Sequence, residues 1–305
     1  MIRYVKICIV SLCLLLRAFP VFPDQVIIDS TSQFEFARTC MERGEYETAV
    51  GEFKRFMHFF PDDSRVPTSR RLMGICYMKD QRFDAARDIF FNILKSEPES
   101  AEAGKARLFI GESYYLQGIG TEAEHHFGQI IEKYPHGDLK NAAFYRLGWT
   151  RMESGSWKEA SETFRKVEKD SLFYQSSLEL AEQSLGGEEL PYKSPAYAGT
   201  AALIPGLGHV YVSRYRDAAV AFLLNGLFIW ATVEAFNEDH YTLGGILAVV
   251  EAGWYAGNIY SAVNCAHKHN RKLNNDFRDG LKDQFDLRLF AGAKGHVGLA
   301  LTFHF

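Results

Sequence analysis

The chain repeats itself. Alanines at positions 49, 86, 123 and 160 stand 37 residues apart. Phe53, Phe90, Phe127 and Phe164 follow them by four residues, and Phe56, Ile93, Ile130 and Val167 by seven. Pro61, Pro98 and Pro135 come twelve residues after the alanines; in the fourth unit Leu172 holds that place. Twelve residues before them stand Ala37, Gly74, Gly111 and Gly148, preceded by Phe36, Met73, Ile110 and Leu147. A period of this length means that each unit is one supersecondary element. Such a unit cannot bury its apolar face alone, so the units must stack into an array.

Each recurring position has a mechanical role. Small residues in the first helix and the alanine of the second let the two approach closely, and the phenylalanine one turn on fills the space beneath. The proline ends the second helix because it has no amide hydrogen to donate. The stretches RGEY, KDQRF, QGIG and SGSW between the helices read as turns. The expected fold is therefore all-α, with four helix–turn–helix units.

These residues, over roughly Ser30 to Leu172, resemble the tetratricopeptide repeat family. The usual unit is about 34 residues; the longer spacing here is similar to variants found in periplasmic envelope-assembly proteins, including the lipoprotein component of the outer-membrane β-barrel machinery. Gly120 and Arg151 depart from the family pattern, standing where aromatic residues are usual. The stretch LFYQSSLELAEQSL, ending the array by residue 185, suits the capping helix such arrays need. The resemblance implies a right-handed superhelical array whose first helices line a concave groove. At the groove positions stand Phe34, Arg71, Leu108 and Tyr145, then Arg38 and Met41, Ile75 and Met78, Glu112 and Tyr115, and Trp149 and Met152. Methionine and aromatic side chains there suit a protein or peptide partner, with Arg38 and Arg71 placed to pair with its carboxylates. The competing expectation is that the protein's own cap helix or C-terminal half fills the groove.

The repeats carry no nucleophile–base pair, phosphate loop or metal spacing, so we expect no enzyme, cofactor or metal. His125 and His126 are adjacent and point to different sides of a helix. Cys40 and Cys76 read as small buried residues, and the five cysteines show no paired spacing. The net charge of −4 gives no reason to expect nucleic acid. At the N-terminus, Arg3 and Lys6 precede an apolar core from Ile7 to Leu16, which reads as a secretory signal over residues 1–23. The cleavage site is poor: Arg17 intrudes, and Ala18 is the best small residue.

The stretch GGEELPYKSP, residues 186–195, reads as a linker into a membrane domain over 196–272. Two apolar runs, Asp217 to Phe236 and Tyr241 to Val263, are long enough to cross a hydrocarbon core, with only Asn237, Glu238, Asp239 and His240 between them. They predict a membrane hairpin. Its base carries Arg214, Arg216, Lys268, Arg271 and Lys272 and its tip is acidic, so the positive-inside rule puts the base in the cytoplasm. An exported repeat array would then have to return across the membrane through Ala196 to Val212, a short crossing or re-entrant segment broken by Pro205, Gly206 and Gly208. The stretch PGLGHVY resembles the Pro-Gly-x-Gly-x-x-Tyr opening of a class of small two-helix membrane domains. Pro205, Gly206, Gly208 and Tyr211 match, while Arg214 stands where glycine is frequent. Within the hairpin Asn225 lies level with Ala252, one residue from Glu251, which predicts a polar clamp between Asn225 and Glu251. Gly226, and Gly253 with Gly257, would let the helices close up.

In the tail, residues 273–305, Leu273, Phe277, Leu281, Phe285 and Leu289 recur every four residues and predict an amphipathic helix on the membrane surface. The last residues alternate through Val297, Leu299, Leu301 and Phe303, like an edge strand or the closing strand of an outer-membrane barrel. The reading is a scaffold of the bacterial cell envelope, with periplasmic repeats that bind an envelope protein and a C-terminal half held in lipid, the inner membrane favoured. The alternative is a small transporter or channel component regulated by the repeats, with Glu234 and Glu251 on its path.

Overall fold

A computed structural model describes residues 29–291 and 297–302. The leader, residues 1–23, and the last residues of the tail lie outside the described residues. The described chain is helical except for one short β-hairpin. It divides into two compact units, Met1–Cys76 and Tyr77–Phe305.

The first unit contains α1 (Ser30–Glu42), α2 (Tyr46–Phe59) and most of α3 (Val66–Lys79). Asp29 caps α1 by accepting a hydrogen bond from the Ser32 amide at 2.8 Å. Gly44 turns the chain at φ 79°. Ala37 and Ala49 are fully buried where the two helices meet. Phe34 packs against Phe53 and Phe56, with ring centroids 6.0 and 5.4 Å away. The Arg65 guanidinium lies over the Phe34 ring and, through its hydrogen bonds, holds the Asp63 carboxyl well below the usual carboxylate range.

The second unit continues the array through α4 (Phe83–Ser96), α5 (Ala101–Leu116), α6 (Gly120–Lys133), α7 (Asp138–Glu153) and α8 (Trp157–Phe164). Here the period has a direct steric cause. A Cβ built on Gly111 would stand 2.6 Å from the Phe127 ring, and one on Gly148 2.5 Å from the Phe164 ring. Each phenylalanine ring packs against the glycine of its own unit, so the two positions, sixteen residues apart, must be kept together. In the fourth unit, where the proline is missing, α8 has only 8 residues and Leu172 is exposed. The array closes with α9 (Tyr174–Gln183) and a 3₁₀ turn, Ser184–Glu189.

Beyond the array come α10 (Pro195–Ala201), α11 (Leu207–Tyr211), α12 (Tyr215–Asn237) and α13 (Tyr241–Gln284). The glycines of the Pro-Gly-x-Gly stretch are wedge points. Gly206 adopts φ 88°, and a Cβ there would stand 2.5 Å from the Ala218 carbonyl. One on Gly208 would be 2.3 Å from the Ala198 carbonyl and 2.8 Å from the Ala262 Cβ. Tyr211 completes the corner: its hydroxyl accepts from the Ser194 amide at 3.0 Å and its ring meets Tyr197 edge to face. At 7 and 5 residues, α10 and α11 are too short to span a bilayer.

Two expectations are corrected here. The membrane run and the amphipathic tail helix form one continuous helix of 44 residues, about 66 Å long at 1.5 Å per residue. Its last turns do not lie free for a membrane surface. Leu281 and Phe285 are buried in the core of the repeats, and Phe277 packs against it. Leu289 belongs to β1 (Asp286–Ala291), which pairs antiparallel with β2 (Val297–Thr302), Asp286 opposite Thr302 and Ala291 opposite Val297.

Candidate functional site

The inner face of the second unit's repeats is built by α5 and α7. At its centre Arg146 and Glu112 form a bidentate ion pair, Nε donating to Oε2 at 2.6 Å and the second nitrogen to Oε1. Both side chains are buried. The Arg146 guanidinium also lies over the Tyr115 ring, 4.4 Å from its centroid, and burial pushes the Tyr115 hydroxyl above its ordinary value. Beside this pair, Trp149 meets Phe164 edge to face.

The end of α13 closes over this face as a strap. Phe277 stacks edge to face on Trp157 at 5.3 Å. Lys282 reaches Glu153 at 3.0 Å, and Arg278 approaches the same carboxylate at 3.8 Å. The expected linker is part of the joint. Tyr192 receives a hydrogen bond from Trp157 Nε1 at 2.8 Å and lies 2.6 Å from Asn274 Oδ1. Asn270 makes a two-way pair with the Lys193 backbone, at 2.8 and 2.9 Å. What stays open is a cleft of about 210 Å³ lined by Glu112, Tyr115, Leu116, Arg146, Trp149, Lys282 and Phe285. Its lining mixes aromatic and aliphatic side chains with three charged ones, Glu112, Arg146 and Lys282, and Leu116 is half exposed.

Most side chains expected to line an open groove are buried. Phe34, Arg71 and Ile75 are buried in the first unit. There Arg38, paired with Glu35 and Glu42, and Met41 remain partly accessible. In the second unit Met78, Leu108, Tyr145, Trp149 and Met152 are buried with Glu112 and Tyr115. For Phe34 and Tyr145 the cause is visible: they point between the paired helices rather than outward. Phe34 meets Phe53 there, and Tyr145 meets Phe164 at 5.7 Å. Arg146, Lys282 and Phe285 were not anticipated on this face. Phe285 had a signal in the four-residue spacing, which says that a helix has an apolar face but not what covers it.

The hairpin is packed in the reverse of a water-soluble pair. Buried along the pair are Ala221, Asn225 and Ala235 on α12 and Gly244 and Glu251 on α13, while Ala218, Ala262 and Ala266 are buried at the corner made by α10 and α11. Phe222, Leu223, Leu227, Trp230, Val249 and Trp254 point outward and are exposed. Asn225 and Glu251 are both buried, but no hydrogen bond joins them: the Asn225 amide donates to the Ala221 carbonyl of its own helix at 2.5 Å. Gly226, Gly253 and Gly257 are also not contact points, since a Cβ on any of them would meet open space. They lie on the outward faces; the glycine of the hairpin with a close neighbour is Gly244, where a Cβ would stand 2.9 Å from the Phe236 ring. Among the described residues, one helix, Tyr215–Asn237, is both long and apolar enough to cross a membrane; the first half of α13, with Glu251 and Asn258, is less apolar. Among the described residues no cluster of His, Cys, Asp and Glu could hold a metal ion.

Residues 142–171, from α7 to the turn after α8, match the model of the tetratricopeptide repeat family. No curated protein matches the chain. Among solved structures it is similar to a Podosopora anserina protein of nearly identical TPR-like repeats, at 17% identity over 52% of this chain and 90% of that one, with a TM-score of 0.42. It is also similar to a tetratricopeptide repeat protein from Parabacteroides merdae, at 13% identity over 83% of this chain and 96% of that one, with a TM-score of 0.41.

Proposed function

We propose that this chain is a non-enzymatic scaffold of a bacterial cell envelope. Its tetratricopeptide-like repeats hold a protein partner and its C-terminal helical hairpin anchors them to a membrane. The observation that carries the reading is the hairpin's inverted packing. Small and polar side chains fill the seam while large apolar ones cover the outside, an arrangement favourable in lipid and unfavourable in water.

The anchor and the scaffold are joined without a hinge. Helix α13 runs from the hairpin tip straight into the repeat core, and α10 and α11 are too short to carry the chain across. The repeats therefore share one side of the membrane with the basic base, and the acidic tip lies on the other. The leader is translated first, and the first topogenic segment usually dominates. We place the shared side in the periplasm on that ground, against the bias of the basic residues. The partner's place is the cleft beside Leu116, which offers Tyr115, Leu116, Trp149 and Phe285 alongside Lys282 and the Glu112–Arg146 pair.

The test uses the full chain in cells. Membrane fractions should retain it after alkaline extraction, and a photo-crosslinking residue at Leu116 should join a second protein. In spheroplasts a membrane-impermeant thiol reagent should label a cysteine at Lys158 and spare one at Asp239. Release of the chain by alkali would remove the anchor, and absence of an adduct would remove the cleft's role. Labelling of the tip alone would move the repeats to the cytoplasm.

A further inference from the structure

Around Glu251 the hairpin buries acceptors without donors; the unpartnered Asn258 Nδ2 lies seven residues on, about 10.5 Å along the helix, out of reach of the carboxylate. Asn225 is completely buried, and its Nδ2 is already used on the Ala221 carbonyl, which leaves Oδ1 unpaired. Glu251 is 8% exposed and neither of its oxygens has a partner. The short tip, Glu238 to His240, sets the register of the antiparallel helices and brings Asn225 within about one turn of Glu251 along the seam, 5.4 Å of rise. Both side chains turn inward at that level. An ionised carboxylate and an amide oxygen are both acceptors only, so they cannot satisfy one another as they stand. Turning the amide over would not help, because its oxygen would then face the Ala221 carbonyl. No Lys or Arg occurs between Arg216 and Lys268 to supply a compensating charge.

We infer that the Glu251 carboxyl is a proton-binding site, and that its protonated form donates a hydrogen bond to Asn225 Oδ1 and locks the hairpin. Taking up one proton from solvent turns an acceptor into the missing donor and removes a buried charge in one step. Releasing that proton to water restores two buried acceptors without a donor, and the seam loosens. The other titratable groups on the packed elements do not supply the donor. Glu234 on α12 is exposed, Tyr255 on α13 donates to the Leu203 carbonyl, and His209 on α11 is bonded to Ser261 Oγ at 3.1 Å. Ser261 lies ten residues beyond Glu251, about 15 Å along the helix.

The inference rests on the membrane reading for the cost of the buried charge, and its test is separate from that reading. The purified full chain in detergent micelles is compared with Glu251→Gln by infrared difference spectroscopy at neutral pH. A carbonyl band of a protonated carboxylic acid is expected in the wild type, absent in Glu251→Gln and displaced in Asn225→Leu. Glu251→Gln keeps a donor for Asn225 and should fold. Its thermal midpoint should stay level as pH rises above neutral, while that of the wild type falls. A carboxylate band alone at neutral pH overturns the inference, and so does wild-type stability that depends on sodium or potassium rather than on pH. If the chain is monodisperse without detergent the membrane reading fails, and the same spectra recorded in buffer still decide the proton site.

Discussion

Glu112 and Arg146 show how much a single residue can determine in a repeat core. Both are buried, and each satisfies the other through two hydrogen bonds. Arg146→Ala strands the carboxylate in an apolar site and should destabilise the chain by about 3–5 kcal/mol, whereas a joint Glu112→Leu and Arg146→Met change should recover most of that loss. Denaturant unfolding of both variants in detergent checks this. His126 is a second residue with a measurable consequence. It is buried on α6, stacked on Tyr114 with centroids 5.6 Å apart, and burial, aided by His125 and Arg107, pushes its imidazole down to about 4. The unfolded chain binds this proton below about pH 6.5 while the folded chain refuses it. Its contribution is therefore complete above that value and is lost as pH falls toward 4, at no more than about 1.4 kcal/mol per pH unit. His126→Phe should flatten that part of the stability profile, and an unchanged slope would acquit His126. At this scale the sequence was informative about packing. The recurring glycine and phenylalanine positions name the contacts of Gly111 with Phe127 and Gly148 with Phe164, because each pair belongs to one unit and is read within it.

At the scale of elements, α13 joins parts that the sequence presents as separate. Its first half carries an apolar outer face, its middle is basic, and its end shows apolar residues every four positions. Each segment was readable as a helix, and nothing helix-breaking separates them. What could not be read was the surface that the last turns would meet, since the same stripe suits a lipid interface or a protein groove. The structure shows the groove, with Phe277 on Trp157 and Lys282 on Glu153. Truncating Leu281 and Phe285 together to alanine should release the strap without unfolding α4 to α8. Trypsin should then cut the full chain at Lys268, Arg271 and Lys272, sites held in helix in the wild type. Continued resistance would show that the docking does not depend on these two side chains. The β-hairpin was half anticipated. The alternation from Val297 onward reads as a strand, but its partner β1 was concealed, because the helical spacing appeared to run on through Leu289.

For the whole molecule, the decisive property is the joint between the helical hairpin and the array. One continuous helix runs from the hairpin tip into the repeat core, so the cleft of the second unit and the hairpin are tied to the same element. The sequence by itself determined the helical units, their paired helices and the hairpin with its tight tip, because these depend on contacts a few to a few tens of residues apart and repeat with a visible period. Only the tertiary structure decided that most of the expected groove residues are interior, that Asn225 and Glu251 share a seam without sharing a hydrogen bond, and that the tail closes over the repeats. The physical reason is that periodicity records which face of a helix is apolar. Which surface covers that face is settled between segments more than a hundred residues apart, as Glu153 and Lys282 are, and no local pattern carries that information.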